Sequence, residues 1–108
     1  MVGTWRNERG SELRIDGVDA ECCVKGAFRS VVGRVDTDVF YAVAGVARGD
    51  VVALSVDFRG SVAAWVGQLD GSTLRTQWHV VRDIPEEEEQ KSLWSSVITG
   101  SDLFVRAP

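Results

Sequence analysis

The feature that most constrains this chain is a regular alternation of inward and outward side chains in short runs separated by turn residues. The first run, GTWRNERGSELRI, places Trp5, Leu13 and Ile15 on one side and mostly charged residues on the other. Successive side chains of a β-strand point to opposite faces, so the run predicts two strands joined by a turn at its central glycine. The inward side also carries Asn7 and Ser11. Buried polar groups need partners, so these two predict contacts within the protein or with a ligand.

The rest of the sequence repeats this pattern. Its 11 glycines separate runs rich in Val, Phe and Trp, which is typical of strands and hairpins. Most gaps between the runs are too short for parallel crossovers. We therefore predict an all-β fold, an eight-stranded antiparallel up-and-down barrel that forms a single domain over residues 1–108. The predicted strands cover residues 4–7, 11–18, 22–32, 39–47, 50–58, 61–69, 73–82 and 98–106.

Charge and hydropathy exclude several classes of protein. The net charge is −4 and the 12 Lys and Arg residues are scattered, so a nucleic-acid-binding surface is not expected. No apolar run reaches the roughly 18 residues of a membrane span, and the sequence shows no signal peptide. We expect a soluble chain in its mature form. The acidic insert DIPEEEEQKS, residues 83–92, predicts a solvated loop or a single helical turn.

The inward faces of the predicted strands combine aromatic and polar side chains. Too many of them are polar for a plain packed core, whereas apolar walls with a few placed polar groups are typical of small-molecule sites. The sequence therefore predicts a ligand site inside the barrel. The set consists of Trp5, Trp65, Trp78, Phe28 and Phe58 together with Asn7, Ser11, Ser30, Ser61 and Asp102.

Six segments, in order and at their spacing, carry a resemblance to a known family. They are GTWRN, GSELRI, KGAFRSVVG, AAWVGQ, TQWHVV and GSDLF, and they extend from Gly3 to Phe104. The chain resembles the avidin and streptavidin family of biotin-binding proteins. The resemblance implies a β-barrel that binds biotin with high affinity, uses no cofactor, catalyses no reaction, and is secreted or periplasmic.

The resemblance also implies how the ureido group of biotin is held. Asn7 and Ser11 match the family residues that bind the ureido oxygen, while Ser30 and Asp102 match those that accept from the two ureido nitrogens. The remaining family contact to the oxygen is a tyrosine, and its position is Phe28. This departure removes one donor from the predicted site.

The walls of the predicted site follow in the same way. Trp65 and Trp78 match wall tryptophans, and a third wall position corresponds to Phe58. Ala63 replaces a threonine that contacts the thioether sulfur. Ser61 matches a serine that binds the valerate carboxylate.

Two further positions concern the rim of the site and its assembly. Arg34 lies in the region of a second carboxylate contact, although the residues alone favour an exposed loop arginine. Trp94 matches a tryptophan that reaches a neighbouring subunit's site, so we expect a homo-oligomer, a tetramer before a dimer. Outward apolar positions support subunit contacts: Ala64, Val66, Val81, Val31 and Val46.

The remaining candidates predict little chemistry. Cys22 and Cys23 are adjacent, which disfavours an ordinary disulfide, so we expect free thiols, with a bond from Cys23 to a second subunit as the alternative. His79 falls on the outward side, and one histidine offers too few ligands for zinc. Two other functions stay open beside biotin binding. One is a barrel carrier for a different small apolar ligand, and the other is a protein-interaction barrel.

Overall fold

The computed structural model describes residues 1–31, 39–82 and 97–108. These residues form eight β-strands that pair in chain order. The strands are β1 (Gly3–Arg6), β2 (Glu12–Val18), β3 (Cys23–Arg29), β4 (Tyr41–Arg48), β5 (Val51–Asp57), β6 (Ser61–Asp70), β7 (Thr73–Arg82) and β8 (Val97–Arg106).

The sheet closes on itself. Each strand pairs antiparallel with the next, and β8 returns to β1 through the pairs Trp5↔Arg106 and Arg6↔Val105. The predicted eight-stranded antiparallel barrel is therefore confirmed. Within the described ranges, no helix has the length and apolar character needed to cross a lipid bilayer.

The barrel interior is filled by alternate residues of the strands, as the sequence pattern predicts. Trp5, Ile15, Val56, Leu74 and Phe104 are almost completely buried there. Trp5 lies beneath the two chain ends: its indole Nε1 donates to the Met1 carbonyl at 2.9 Å, and the Arg106 guanidinium lies 4.4 Å from its ring centre. Trp5 thus belongs to the packed core, although the sequence grouped it with the site tryptophans.

Several turns between neighbouring strands contain a residue with positive backbone φ. Gly49 and Gly71 supply this conformation in the β4–β5 and β6–β7 turns, where a residue without a Cβ meets no steric penalty. The β5–β6 turn differs, because the positive φ of 74° falls on Arg59 and not on Gly60. The Asp57 carboxylate stabilises this turn by accepting the Arg59 backbone N–H at 2.7 Å.

Two expectations about the strands differ from the structure: where the third strand ends, and which way Ile98 faces. The third predicted strand extends to residue 32, but β3 ends at Arg29. The Val31 N–H donates to the Ser11 hydroxyl oxygen at 3.0 Å, so the chain leaves the sheet for a side-chain contact. Ile98 is predicted to face the interior, yet it is 55% exposed. Ile98 lies at the start of β8, whereas the pairs of β8 with β1 involve only Val105 and Arg106 near its end.

One outward-facing carboxylate is buried. Glu12 is only 4% exposed because two arginine side chains cover it. Arg14 Nε lies 2.7 Å and Arg6 Nη2 lies 3.3 Å from its carboxylate oxygens. Although burial opposes ionisation, these arginines hold the pKa of Glu12 below its ordinary value of 4.5. The acidic insert predicted over residues 83–92 lies outside the described residues.

Candidate functional site

The topology brings alternate connections of the chain to the same end of the barrel. In an up-and-down barrel, alternate connections lie at the same end. Those between β1 and β2, β3 and β4, and β5 and β6 therefore share an end, together with Asn7, Ser11, Ser30 and Ser61 beside them. The candidate site consists of these residues and the inward side chains below them.

Asn7 organises the β1–β2 connection and reaches the last strand. Its side-chain oxygen accepts the backbone N–H groups of Arg9 at 3.1 Å and Ser11 at 2.9 Å. Its side-chain nitrogen donates to Asp102 Oδ2 at 3.1 Å. An amide nitrogen carries two hydrogens, so one N–H of Asn7 remains for a further acceptor. Asn7 is buried, which leaves that N–H directed away from bulk water.

Ser11 and Ser30 are the buried hydroxyls of the site. Ser11 is 1% exposed, and its oxygen accepts the Val31 N–H at 3.0 Å. A hydroxyl that accepts a hydrogen bond still has its own hydrogen to donate. Ser30 is buried beside this contact at the end of β3. The two serines and Asn7 thus bring hydroxyl and amide donors to one side of the site.

Asp102 is the buried carboxylate of the site. Its Oδ2 accepts from Asn7, whereas its Oδ1 is buried with no hydrogen-bond partner among the described residues. Burial raises the pKa of Asp102 above its ordinary value of 3.8. The Asn7 amide and the Trp78 indole oppose that rise, and the neighbouring Glu8 carboxyl group adds to it. An acceptor without a partner inside a barrel is what a ligand N–H group requires.

Two tryptophans form the wall next to Asp102. Trp65 on β6 and Trp78 on β7 are directly paired across the sheet. The Nε1 atoms of both indoles are buried without a hydrogen-bond partner in the described part of the chain. Trp78 is opposite Gly100 on β8, where a Cβ would lie 2.3 Å from the indole ring. Only glycine at that position lets the ring lie flat against β8.

A second aromatic group continues this wall. The Phe28 ring centre lies 4.9 Å from that of Trp65 and 6.0 Å from that of Phe58. Tyr41 extends the group, with its ring centre 5.1 Å from Phe58 in an edge-on arrangement. Such tilted and edge-on pairs are the favoured geometries of aromatic rings. The ring contacts therefore run from Trp65 through Phe28 and Phe58 to Tyr41, with Trp78 opposite Trp65 on the next strand.

The small residues of β6 complete this surface. Ala63 is 1% exposed, faces the same side of β6 as Trp65, and pairs with Val56 and Val80. Ser61 begins β6 at the rim and is half-buried. Arg34 and Trp94, which the sequence also places at the site, lie outside the described residues.

Three site residues were missed by the sequence reasoning. Tyr41 shares the inward parity of Val43 and Ala47, so alternation along β4 was the signal that marks it. Thr76 is buried and donates to the Asp102 carbonyl oxygen at 3.0 Å. Glu8 accepts the Leu103 N–H at 3.0 Å, a contact between residues 95 positions apart that no local pattern indicates.

The chemistry available at the site is hydrogen bonding and stacking. The described residues contain no group of three or more His, Cys, Asp or Glu side chains placed to hold a metal ion. Asn7 and Ser11 supply donors and Asp102 supplies an acceptor, and the aromatic wall adds ring surfaces. This arrangement suits a flat ligand that carries both a carbonyl oxygen and N–H groups.

Comparison with solved structures shows a shared fold. Bradavidin2, solved in complex with biotin, has 26% sequence identity and a TM-score of 0.81, with 98% of this chain and 96% of that chain covered. The biotin binding protein from chicken has 21% identity and a TM-score of 0.84, covering 99% and 95% of the two chains. Xenavidin has 24% identity and a TM-score of 0.83, covering 99% and 97%.

Comparison at the level of sequence families gives the assignment. No curated protein matches the sequence significantly. The sequence model described as the avidin family matches residues 1–107, which is nearly the whole chain. The motifs, the barrel and this match agree, and the chain belongs to the avidin family.

Proposed function

We propose that this chain binds biotin in the barrel and catalyses no reaction on it. The observation that carries the proposal is the buried group of Asn7, Ser11, Ser30 and Asp102 beside the Trp65 and Trp78 rings. Membership of the avidin family supports it, as does the likeness to bradavidin2, which was solved with biotin.

The polar residues match the hydrogen-bonding needs of a ureido group. Its oxygen accepts, so the spare Asn7 N–H and the Ser11 hydroxyl would donate to it. Its two N–H groups donate, so Ser30 and Asp102 Oδ1 would accept from them. Asp102 would make the strongest of these contacts when it is ionised, because charge-assisted hydrogen bonds exceed neutral ones.

The aromatic wall would hold the rest of the ligand. Trp65, Trp78 and Phe58 would contact the bicyclic ring and the aliphatic chain, with Ala63 near the sulfur. The Ser61 hydroxyl at the rim would donate to the carboxylate at the end of the chain. Arg34 and Trp94 keep their roles from the family resemblance, as a second carboxylate contact and as a residue of the adjoining subunit.

Assembly and location belong to the same proposal. We propose a homo-oligomer, a tetramer before a dimer, because Val46, Val66 and Val81 expose about half of their surfaces on the outside of the barrel (54%, 55% and 47%). Family membership supports a secreted or periplasmic location. Fractionation of the source cells would test that location.

Isothermal titration with free biotin tests the proposed function. We expect tight binding near one ligand per chain. Asp102→Ala should weaken binding more than Ser30→Ala, because a charged acceptor is worth about 1.5–3 kcal/mol and a neutral one about 0.5–1.5 kcal/mol. The reverse order would remove the role given to Asp102.

Failure to bind biotin would favour the second candidate function. The buried Phe28 and Ala63 make the site more apolar than the family pattern, which suits a carrier of a different small apolar ligand. Displacement of a fluorescent apolar probe by such ligands, without displacement by biotin, would support that function. Loss of function only on outer-surface substitution would instead support a protein-interaction barrel.

A further inference from the structure

Glu8 links the β1–β2 connection to the strand that carries Asp102. Its Oε2 accepts the Leu103 backbone N–H at 3.0 Å. Leu103 faces outward and is 44% exposed, while Asp102 beside it faces inward. Glu8 itself is exposed at the rim. Asn7, the residue before Glu8, donates to Asp102 Oδ2. Together these two contacts hold the Glu8 carboxyl group near that of Asp102, where β8 passes under the rim.

Both members of this pair are acids. Besides burial, the neighbouring Glu8 carboxyl group raises the pKa of Asp102. Two nearby carboxylates cannot both ionise cheaply, so the pair holds one proton over a range of pH. Burial is the larger cause of the raised pKa of Asp102, and so that residue keeps the proton.

The groups around this pair also favour a negative charge on Glu8 and a proton on Asp102. Burial raises the pKa of Glu8, but the backbone N–H groups of Leu103 and Glu8 outweigh this effect. Together with the Arg9 cation, they hold the pKa of Glu8 below its ordinary value. On the other side, β7 presents Trp78 and Thr76 to Asp102, and neither carries a charge. Within the connection, Asn7 offers a neutral amide. Arg9 thus favours the ionised form of Glu8, and the negative charge of Glu8 opposes ionisation of Asp102.

We propose that Glu8 is a positioning residue that sets the pH range in which Asp102 serves as an ionised acceptor for a ligand N–H, so that binding weakens in acid. This inference rests on the proposed function. An ionised Asp102 offers a charge-assisted bond to an N–H donor, whereas a protonated Asp102 offers only a neutral carbonyl oxygen. Protonation therefore converts the strongest polar contact of the site into an ordinary one.

The substitution Glu8→Gln isolates this effect. The glutamine amide oxygen can still accept the Leu103 N–H, so the rim remains attached to β8. The like charge is lost, and Asp102 then ionises at lower pH. Glu21→Gln is the matched control, because Glu21 is exposed in the β2–β3 turn at the opposite end of the barrel.

The binding experiment uses biotinamide, whose chain end does not titrate in this range. Its affinity is measured by competition between about pH 7 and pH 4. We expect the unmodified protein and Glu21→Gln to lose about 10-fold in affinity on acidification. Glu8→Gln should retain affinity to lower pH, with its decline displaced toward acid. Superimposed profiles for all three proteins would overturn the inference.

A second readout does not depend on the ligand. Carbon NMR of the unliganded protein follows the Asp102 carboxyl titration, with Asp102→Asn identifying the resonance. Glu8→Gln should lower the Asp102 midpoint, and an unchanged midpoint would overturn the inference. If biotinamide failed to bind at any pH, the proposed function would fail, and the NMR midpoints would still decide whether Glu8 controls Asp102.

Discussion

Phe28 is the residue at which this site departs most clearly from the family pattern. The resemblance implies a tyrosine hydroxyl there, and the structure instead has a buried phenylalanine packed 4.9 Å from Trp65. In the proposed complex with biotin, one donor toward the ligand oxygen would be missing, and Asn7 and Ser11 would hold that oxygen alone.

Phe28→Tyr should therefore tighten biotin binding. A neutral hydrogen bond adds about 0.5–1.5 kcal/mol, which corresponds to roughly a 2- to 10-fold gain in affinity. Isothermal titration measures it directly. Phe58→Tyr is the matched control, because it makes the same change in the same aromatic group at a position that serves as a wall. Equal or weaker binding by Phe28→Tyr would show that its hydroxyl does not reach the ligand.

Asp102 illustrates how a residue proposed to bind a ligand lowers the stability of the unliganded protein. Its pKa is raised in the folded state, so the folded protein holds that proton more tightly than the unfolded chain does. Stability from this group is present below the ordinary value of 3.8 and is lost as pH rises toward the folded pKa. At neutral pH the unliganded protein thus contains a buried carboxylate at a net cost.

Asp102→Asn should stabilise the unliganded protein at pH 7 while weakening its affinity for biotin. The asparagine oxygen can still accept from Asn7. Removing the buried charge should raise the free energy of unfolding by about 0.5–2 kcal/mol, as is typical of stabilising substitutions. Urea unfolding at neutral pH measures the gain, and the difference from the unmodified protein should shrink below pH 3.8. A variant that is less stable at pH 7 would contradict the assignment.

At the scale of single elements, the β2–β3 hairpin contains an unusual residue choice. The Cys22 N–H donates to the Asp19 carbonyl at 3.0 Å, and the Asp19 carboxylate accepts the Cys23 N–H at 2.9 Å. Cys22 then adopts a positive φ of 67°. This left-handed conformation costs an L-residue roughly 1–2 kcal/mol and suits glycine. Cys22 and Cys23 form no disulfide with each other within this chain, and the predicted alternative of a bond from Cys23 to a second subunit stays a prediction.

Cys22→Gly should stabilise the protein by about 0.5 kcal/mol. Glycine removes the steric cost of the left-handed backbone in the folded state. This gain in free energy exceeds the loss that comes from the extra conformational entropy of glycine in the unfolded chain. Cys23→Gly is the control, because Cys23 has an ordinary strand backbone and glycine there should cost about 0.5–1 kcal/mol. Urea unfolding under reducing conditions compares the two. Equal destabilisation by both changes would contradict the turn argument.

The alternation in the sequence was sufficient to predict the elements and most inward faces. It placed Asn7, Phe28, Trp65 and Asp102 inside the barrel, because a period of two is a local property of strands. The exposure of Ile98 was not predictable, because alternation gives the face of a residue and not what covers that face in the closed sheet.

Contacts between distant parts of the chain were the second limit. The Glu8 contact with Leu103 and the Tyr41 contact with Phe58 arise from barrel closure and strand register. A single sequence contains no local signal for either. The site's hydrogen-bonding residues were therefore predictable individually and through family resemblance, but their mutual electrostatics were not.

At the scale of the whole molecule, an apolar strip crosses the outside of three strands. Val62 on β6 pairs with Val81 on β7, which pairs in turn with Val97 on β8. These three side chains are 53%, 47% and 43% exposed. Contiguous apolar surface of this kind commonly marks a subunit contact. We name these three residues the valine strip and place the expected interface there.

Val81→Asp should lower the native mass of the protein, because it puts a charge at the centre of the valine strip. Light scattering measures that mass, and circular dichroism checks that the barrel remains folded. Val51→Asp is the matched control: Val51 is 54% exposed, but its cross-strand partners are the polar Arg48 and Gln68. A desolvated charge costs several kcal/mol, so an interface centred on Val81 would dissociate at micromolar concentration. An unchanged mass would place the interface elsewhere on the barrel. If Trp94 completes a neighbour's site, Val81→Asp should also bind biotin more weakly than Val51→Asp.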